Sequence, residues 1–369
     1  MANSREERNV GLDLLRIILA LMVVTIHFNA PGTGQVYMHC TTQPLSTLIS
    51  LVVALTYPAV NTYVLISGYY SFKSPKTYRK IVSSLVRLWL CLTFFSILGY
   101  LIVSLFNNQP ISFTVLLTRL FPLTRSVWWF MSVYFVLMLI SPCINKVISS
   151  FSKQENLFAL LLMLIICSVL PFFVNWKDAI GTNYGYSLVW FVVIYFTGAL
   201  MCLYTTNDNS HLFVKGISVY FLLSILFVGL NYLLNRISFT QGNTVSMYNS
   251  LIVYGQAIAL FISFKSLKIN NKVLGKVIVF FAGLSLAVYV FHCQEDISKF
   301  IWSNIHPSYY ANSYSIISIY VVSISGLYFI AVFIEFIRVK LFNLLKLNRG
   351  VENCVFFVID KVNALLTRL

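Results

Sequence analysis

Residues 11–28 read GLDLLRIILALMVVTIHF, an apolar run broken near its start by Asp13 and Arg16 and at its end by His27. The run is long enough to cross a bilayer as a helix. Ionisable groups at membrane depth are costly unless they face protein or a wet cavity, so their presence here calls for a reason. Ten residues separate Arg16 from His27. A helix advances about 1.5 Å and 100° per residue, which places the two roughly 16 Å apart along the axis and about 20° apart around it. Both side chains therefore point into the same space, with a cation at one level and an imidazole at another. Asp13, three residues before Arg16, is placed to pair with it. Two readings are open on this spacing. One is a functional cavity that holds both side chains; in the other, Arg16 snorkels or pairs with Asp13 and His27 is an ordinary interfacial histidine.

The rest of the chain fits a membrane setting. Of its 369 residues 59% are hydrophobic and 10% charged, and the mean hydropathy is +0.82, values that exclude a soluble globular domain of this length. Apolar segments long enough to span fall at about 11–29, 46–70, 83–106, 128–149, 157–174, 188–204, 213–234, 248–266, 277–294 and 314–340. The expected fold is all-α: a polytopic transmembrane helical bundle of about ten spans. The first segment is not a cleavable signal, because Asp13 and Arg16 interrupt it and no small-residue cleavage site follows.

Basic residues set the orientation. Nineteen of the 26 Lys and Arg, from Arg5 and Arg8 to Lys361 and Arg368, fall on the N-terminal side of the expected topology. Arg119, Arg125, Lys177, Arg236 and Lys299 fall on the other side, and Arg16 and Arg87 lie within spans. The positive-inside rule then predicts both termini in the cytoplasm, hence a multi-pass protein of the cytoplasmic (inner) membrane. The net charge of +15 orients helices and attracts anionic lipid headgroups, and calls for no nucleic-acid partner. Residues 1–341 read as one integral-membrane domain. Residues 342–369, where Phe356, Ile359 and Val362 alternate with Lys346, Arg349 and Lys361, read as an amphipathic tail on the cytoplasmic surface.

Several other residues invite chemistry. The cysteines Cys40, Cys91, Cys143, Cys167, Cys202, Cys293 and Cys354 are scattered and show no metal-ligand spacing, so no metal is expected; a Cys40–Cys293 disulfide near the outer face is open. His292 ends the ninth span, followed by Glu295 and Asp296. It reads either as an accessory group that binds an acceptor or orients a catalytic residue, or as an interfacial histidine ahead of solvated acids. Ser67-Gly68 lacks a nucleophile elbow and suits close helix packing. Trp128 and Trp129 read as interfacial anchors or, in the alternative, as a stacking platform for a sugar ring, and Trp176, Trp302, Tyr309 and Tyr310 as part of the same aromatic belt. Glu335 and Arg338 are spaced to form a local pair. His39, His211 and His306 stand alone in expected loops.

The run from Leu12-Asp13-Leu14-Leu15-Arg16 to Thr25-Ile26-His27 resembles the signature of the integral-membrane acyltransferase family of type three, whose first helix carries an arginine and a histidine ten residues apart. Further segments are similar to that family in the same order. They are Ser67-Gly68-Tyr69-Tyr70 ending the second span, the basic Lys76, Arg79 and Lys80 ahead of Arg87, Trp128-Trp129-Phe130 with Tyr134 and Ser141-Pro142, and Ser285 to His292 with Tyr289. Basic residues are sparser in the third span than the family pattern has them, and Arg87 stands alone there.

The resemblance implies an O-acyltransferase that moves an acyl group, usually acetyl, from cytoplasmic acyl-coenzyme A to a hydroxyl of a cell-surface polysaccharide or its lipid-linked precursor, such as an O-antigen. On that reading His27 is the general base or an acyl carrier, Arg16 and Arg87 hold the anionic part of acetyl-CoA, and His292 and Trp129 lie toward the acceptor. The competing function is a carrier or exporter of such a glycan without chemistry, which would show paired interrupted helices from an internal repeat. A lipid-linked glycan polymerase would carry a large external loop, and the sequence has no room for one.

Overall fold

The computed structural model describes residues 8–124, 127–173, 180–205, 211–237 and 245–366. Arg5, Arg125, Trp176, Lys177 and Arg368 of the sequence argument lie outside them. The described residues form helices and turns, with no strand among them. In chain order the principal helices are α1 (Val10–Asn29), α2 (Leu45–Thr56), α3 (Ala59–Lys73), α4 (Tyr78–Phe106), α5 (Trp129–Ser150), α6 (Lys153–Leu164), α7 (Leu188–Tyr204), α8 (His211–Arg236), α9 (Leu251–Ser266), α10 (Lys272–Leu284), α11 (Leu286–His292), α12 (Glu295–Ile305), α13 (Ser315–Leu344) and α14 (Leu347–Leu366). Among the described residues eight stretches are long and apolar enough to cross a membrane, and the other two expected spans are the shorter apolar helices α7 and α9. The polytopic helical bundle expected from the sequence is the fold.

α1 stands at the centre of the bundle, against α2, α3, α9, α10, α11 and α13. Asn9 starts it, accepting the N–H of Leu12 at 3.0 Å and donating to the carbonyl of Lys265 at 2.8 Å, which ties the helix start to the end of α9. Two faces of α1 are buried in different clusters. Ala20, Val24 and Phe28 join Phe95, Val288, Phe291, Trp302 and Ala331, while Leu12, Leu15, Leu19 and Val23 join Val64, Trp190, Phe191 and Phe261. At about 100° per residue the line through Arg16 and His27 falls on the seam between those faces. That is why a helix apolar nearly all round can still carry Arg16 and His27. Apolar residues on the outside of the bundle, such as Leu222 and Ile225 of α8 and Val321, Val322 and Phe333 of α13, are exposed as a lipid-facing surface requires.

Among the described residues two spans are broken, while a third, Lys153–Phe173, runs through a π-helical turn at Ile165–Val169. Tyr57-Pro58 separates α2 from α3, because proline has no N–H to extend the ladder, and Ser285 separates α10 from α11, its hydroxyl donating to the carbonyl of Ala282 at 2.9 Å. Interruptions of this kind are tolerated at membrane depth where they are enclosed by protein or line a cavity, and both of these lead into residues that line one cavity, described below.

α3 and α7 cross in close contact. A Cβ on Gly68 would collide with the carbonyl oxygen of Tyr195, and one on Gly198 with that of Leu65. Ser67 donates to the carbonyl of Tyr63 at 2.9 Å, in keeping with a packing role for the Ser67-Gly68 pair. Gly68→Leu is expected to destabilise the protein by about 3 kcal/mol, read as a lower unfolding temperature in detergent; an unchanged temperature would mean that the two helices do not need this contact.

After α13 the chain turns at Lys346, in a left-handed conformation with φ of 52°, into α14. α14 lies against α4. Glu352 pairs with Arg87 and accepts from Ser83 at 2.8 Å, Asp360 pairs with Arg79 at 3.2 Å, and the Arg79 guanidinium sits 4.1 Å from the centre of the Phe356 ring. The expected Glu335–Arg338 pair is present within α13 at 2.6 Å.

Candidate active site

His27, near the last turn of α1, meets His292, the last residue of α11. Their rings are 5.0 Å apart, with His27 Nδ1 3.1 Å from His292 Nε2. Backbone carbonyls decide the tautomers. His292 Nδ1 lies 2.5 Å from the carbonyl of Val288, and His27 Nδ1 lies 2.9 Å from that of Val23. A carbonyl can only accept, so each ring carries its proton on Nδ1. His292 then offers its Nε2 lone pair to the Nδ1–H of His27, and His27 is left with an unprotonated Nε2. The turn after α1 fixes His27 from the backbone side: its carbonyl accepts from Gly34 N–H at 2.9 Å and from the Thr33 hydroxyl.

His27 forms part of the wall of a cavity of about 240 Å³. Six aromatic side chains contribute to the remainder: Tyr63 from α3, Trp129 and Phe130 from α5, Tyr289 from α11, together with Tyr186 and Tyr248. Val60 and Leu286, each at the start of the helix that follows an interruption, also line it. Trp129 packs with its ring 4.6 Å from Tyr186 and stacks on Tyr248 at 6.0 Å. Trp128 does something else. It is fully buried and donates its indole N–H to the carbonyl of Val290 at 3.0 Å, so the expectation of an interfacial anchor is corrected for this residue. The indole needs a partner once buried, and the bared carbonyl of the short helix α11 supplies it.

A second, larger cavity of about 1180 Å³ opens at the other end of α1. Arg8, Lys73, Lys265, Lys268, Lys272 and Lys276 surround it, together with Tyr69, Tyr70, Ser266, Asn270 and Asn271. Arg16 lies between the two cavities. Its guanidinium is 5.3 Å from the centre of the Tyr70 ring, in the wall of the basic vestibule, and its carbonyl accepts from the hydroxyl of Tyr63, in the wall of the aromatic pocket, at 2.8 Å. Asp13, buried, pairs with Arg16 at 2.8 Å and with Arg8 at 2.5 Å, so the expected Asp13–Arg16 pair is present and is shared with a second arginine.

The five residues chosen from sequence thus separate. His27 and Trp129 line the aromatic pocket, His292 stands behind His27 without lining it, and Arg16 lies toward the vestibule. Arg87 lines neither cavity and is held by Glu352 of α14, a partner too far along the chain for spacing to reveal. His292 is buried, not interfacial. Glu295 and Asp296 are not simply solvated acids either, since both pair with the buried Arg119, Asp296 at 2.8 Å. Cys40 and Cys293 are free, so no disulfide joins them; Cys293 Sγ instead lies 3.6 Å from His27 Nε2 and 3.4 Å from His292 Nε2. Sequence reasoning missed the vestibule lysines as a group, counting them only as topology signals, and missed Tyr63, Tyr186, Tyr248 and Tyr289 as pocket walls.

The family described as an acyltransferase domain matches residues 9–337, from the start of α1 into α13, and the chain belongs to this family, acyltransferase 3. The protein is a multi-pass membrane acyltransferase. No curated protein and no solved structure matches it.

Proposed function

We propose that this protein is an O-acyltransferase that passes an acyl group, acetyl by the habit of the family, from acyl-coenzyme A in the basic vestibule to a hydroxyl of a cell-surface polysaccharide or its lipid-linked precursor in the aromatic pocket. The observation that carries the reading is the His27–His292 pair, whose tautomers leave Nε2 of His27 as a lone pair beside a pocket walled by aromatic rings. Aromatic faces suit sugar rings, and a half-buried imidazole with a free Nε2 lone pair suits proton abstraction from a hydroxyl. In the reaction the acceptor oxygen bonds to the thioester carbonyl carbon as His27 Nε2 takes its proton. The carbon–sulfur bond then breaks, and coenzyme A leaves as a thiolate that recovers a proton. His292 holds the ring of His27 in position and accepts from it, without touching the reacting atoms.

The donor end follows from charge. Coenzyme A carries its phosphates at one end and its thioester at the other, and six cations surround the vestibule while the imidazole sits roughly 16 Å further along α1 than Arg16. Arg16 stands where the pantetheine arm would pass, with Asp13 holding its guanidinium. Arg87 is left out of the donor site in this reading, since Glu352 holds it. The positive-inside rule would put the vestibule in the cytoplasm and the aromatic pocket toward the outer face of the inner membrane. Neutralising Lys272 and Lys276 to glutamine is expected to raise KM for acyl-coenzyme A on the order of tenfold, at up to about 1 kcal/mol per phosphate contact, with kcat little changed and the effect shrinking at high salt. An unaltered KM would remove the vestibule from donor binding.

The interrupted helices around the pocket also suit a carrier. The decisive experiment incubates the purified protein with acetyl-CoA and a glycan acceptor, and follows free thiol release together with an ester signal in the NMR spectrum of the glycan. Thiol release that depends on the acceptor supports transfer. Glycan movement across vesicles with no consumption of acetyl-CoA would establish the carrier instead.

A further inference from the structure

We infer that His27, His292 and Cys293 form a binding site for a thiophilic transition-metal cation, Zn2+ by its ligand preferences, and that the bound ion switches the protein off by occupying Nε2 of His27. The binding half stands on the cluster alone; the inhibition rests on the acyltransferase reading given above.

Three observations point to a metal site. The first is spacing. Zn2+ holds sulfur at about 2.3 Å and nitrogen at about 2.0 Å, so ligand atoms around one tetrahedral ion lie roughly 3.3–3.6 Å from one another. Here Cys293 Sγ is 3.6 Å from His27 Nε2 and 3.4 Å from His292 Nε2, both within that range, and one ligand atom from each of the three residues lies within 4.8 Å of the others, so the imidazoles need only draw together to close on one ion.

The second is ligand orientation. A metal-bound histidine usually gives its other ring N–H to a carbonyl or carboxylate, which fixes the tautomer and raises the basicity of the ligating nitrogen. Both histidines already meet that condition through Val23 and Val288: His27 presents Nε2 as its lone pair, and His292 Nε2, which accepts from His27 Nδ1–H when no ion is bound, turns to the ion while that proton stays on the carbonyl of Val23. The third is the fold around Cys293. It caps the short helix α11, with its N–H on the carbonyl of Tyr289 at 3.1 Å, and α12 begins two residues later. The sharp turn brings adjacent residues, His292 and Cys293, to bear on the same point.

Two imidazoles and a thiolate suit Zn2+ or copper and are poor ligands for Mg2+ or Ca2+, which prefer oxygen. Binding forms two nitrogen–metal bonds and one sulfur–metal bond; the thiol gives its proton to solvent, and the two Nδ1 protons stay on their rings. A fourth position is left for water. Once the His27 Nε2 lone pair is on the ion it cannot accept the proton of a sugar hydroxyl, so transfer stops until the ion is withdrawn.

The test uses the purified full-length protein, with Co2+ as a spectroscopic probe and Zn2+ as the inhibitor. Wild-type protein should bind one equivalent of Co2+ with a thiolate-to-cobalt charge-transfer band, and Zn2+ should displace it. Cys293→Ser, which removes the sulfur and little volume, should lose the band and weaken Zn2+ binding by no less than the tenfold that losing an outer partner of a metal ligand costs. In the transfer assay micromolar Zn2+ should inhibit the wild type, a chelator should restore it, and Mg2+ should have no effect. Cys293→Ser should retain basal transfer and resist Zn2+.

A folded wild-type protein with no thiolate band overturns the site. Transfer that proceeds unchanged in the presence of bound Zn2+ overturns the switch. A protein that binds Zn2+ through Cys293 but transfers no acyl group keeps the site and refutes the acyltransferase chemistry instead, so the two failures are separable.

Discussion

His27→Ala should leave the protein folded and inserted but lower acyl transfer by about a hundred- to ten-thousandfold, the range that a positioned general base supplies. The substitution removes a side chain from a cavity wall on the seam between two packed faces, and the faces themselves, Ala20–Val24–Phe28 and Leu12–Leu15–Leu19–Val23, are untouched. The measurement is kcat with acetyl-CoA and acceptor, alongside a size-exclusion profile in detergent. Wild-type turnover by the alanine variant would eliminate the base, and with it the proposed route.

The second large effect is expected at His292. His292→Ala should cut kcat on the order of a hundredfold and leave KM for both substrates nearly unchanged, because His292 orients a ring and does not touch the substrates. The loss should stay below the roughly ten-thousandfold seen when the orienting carboxylate of a serine-protease triad is removed. The reason lies in the structure. The carbonyl of Val23 also accepts from His27 Nδ1, so the productive tautomer survives when His292 is gone, although the ring loses one of its two anchors. His292→Gln should recover part of the loss, since its amide oxygen can accept the same proton. A purely structural role would show no such recovery, and a neutral His292→Ala would return the residue to the status of a packed bystander.

Much of the fold was legible in the sequence because membrane spans are written in composition. Among the described residues each of the ten apolar runs is helical, as one helix, as a helix pair, or, at Lys153–Phe173, through a π-helical turn, and a further helix, α14, follows the last of them. The line from Arg16 to His27 was legible too, since it depends only on helical pitch within one element. What escaped was whatever depends on distance across the bundle. Arg87 reads as a phosphate ligand until Glu352, from the far end of the chain, arrives beside it. Trp128 and Trp129 are neighbours in sequence with the same composition signal, yet one is a buried strut and the other a cavity wall, because Trp128 caps α5 with a non-helical backbone (φ -118°, ψ 78°) while Trp129 opens the helix. Cys293 was one of seven scattered thiols, and only the turn between α11 and α12 gives it two imidazoles for company. The lysines of the vestibule were visible singly, as markers of the inner side, and their convergence on one space was not.

The crossing of α3 and α7 constrains the future of this sequence as well as its shape. Each of Gly68 and Gly198 faces a main-chain oxygen, and an oxygen of the peptide unit is present whatever residue occupies Tyr195 or Leu65. No trimming of a neighbouring side chain can make room for a methyl group at either glycine, so second-site suppressors have nothing to act on. Over generations the residues around this seam are free to drift, while the two glycines can change only if the helices themselves move apart.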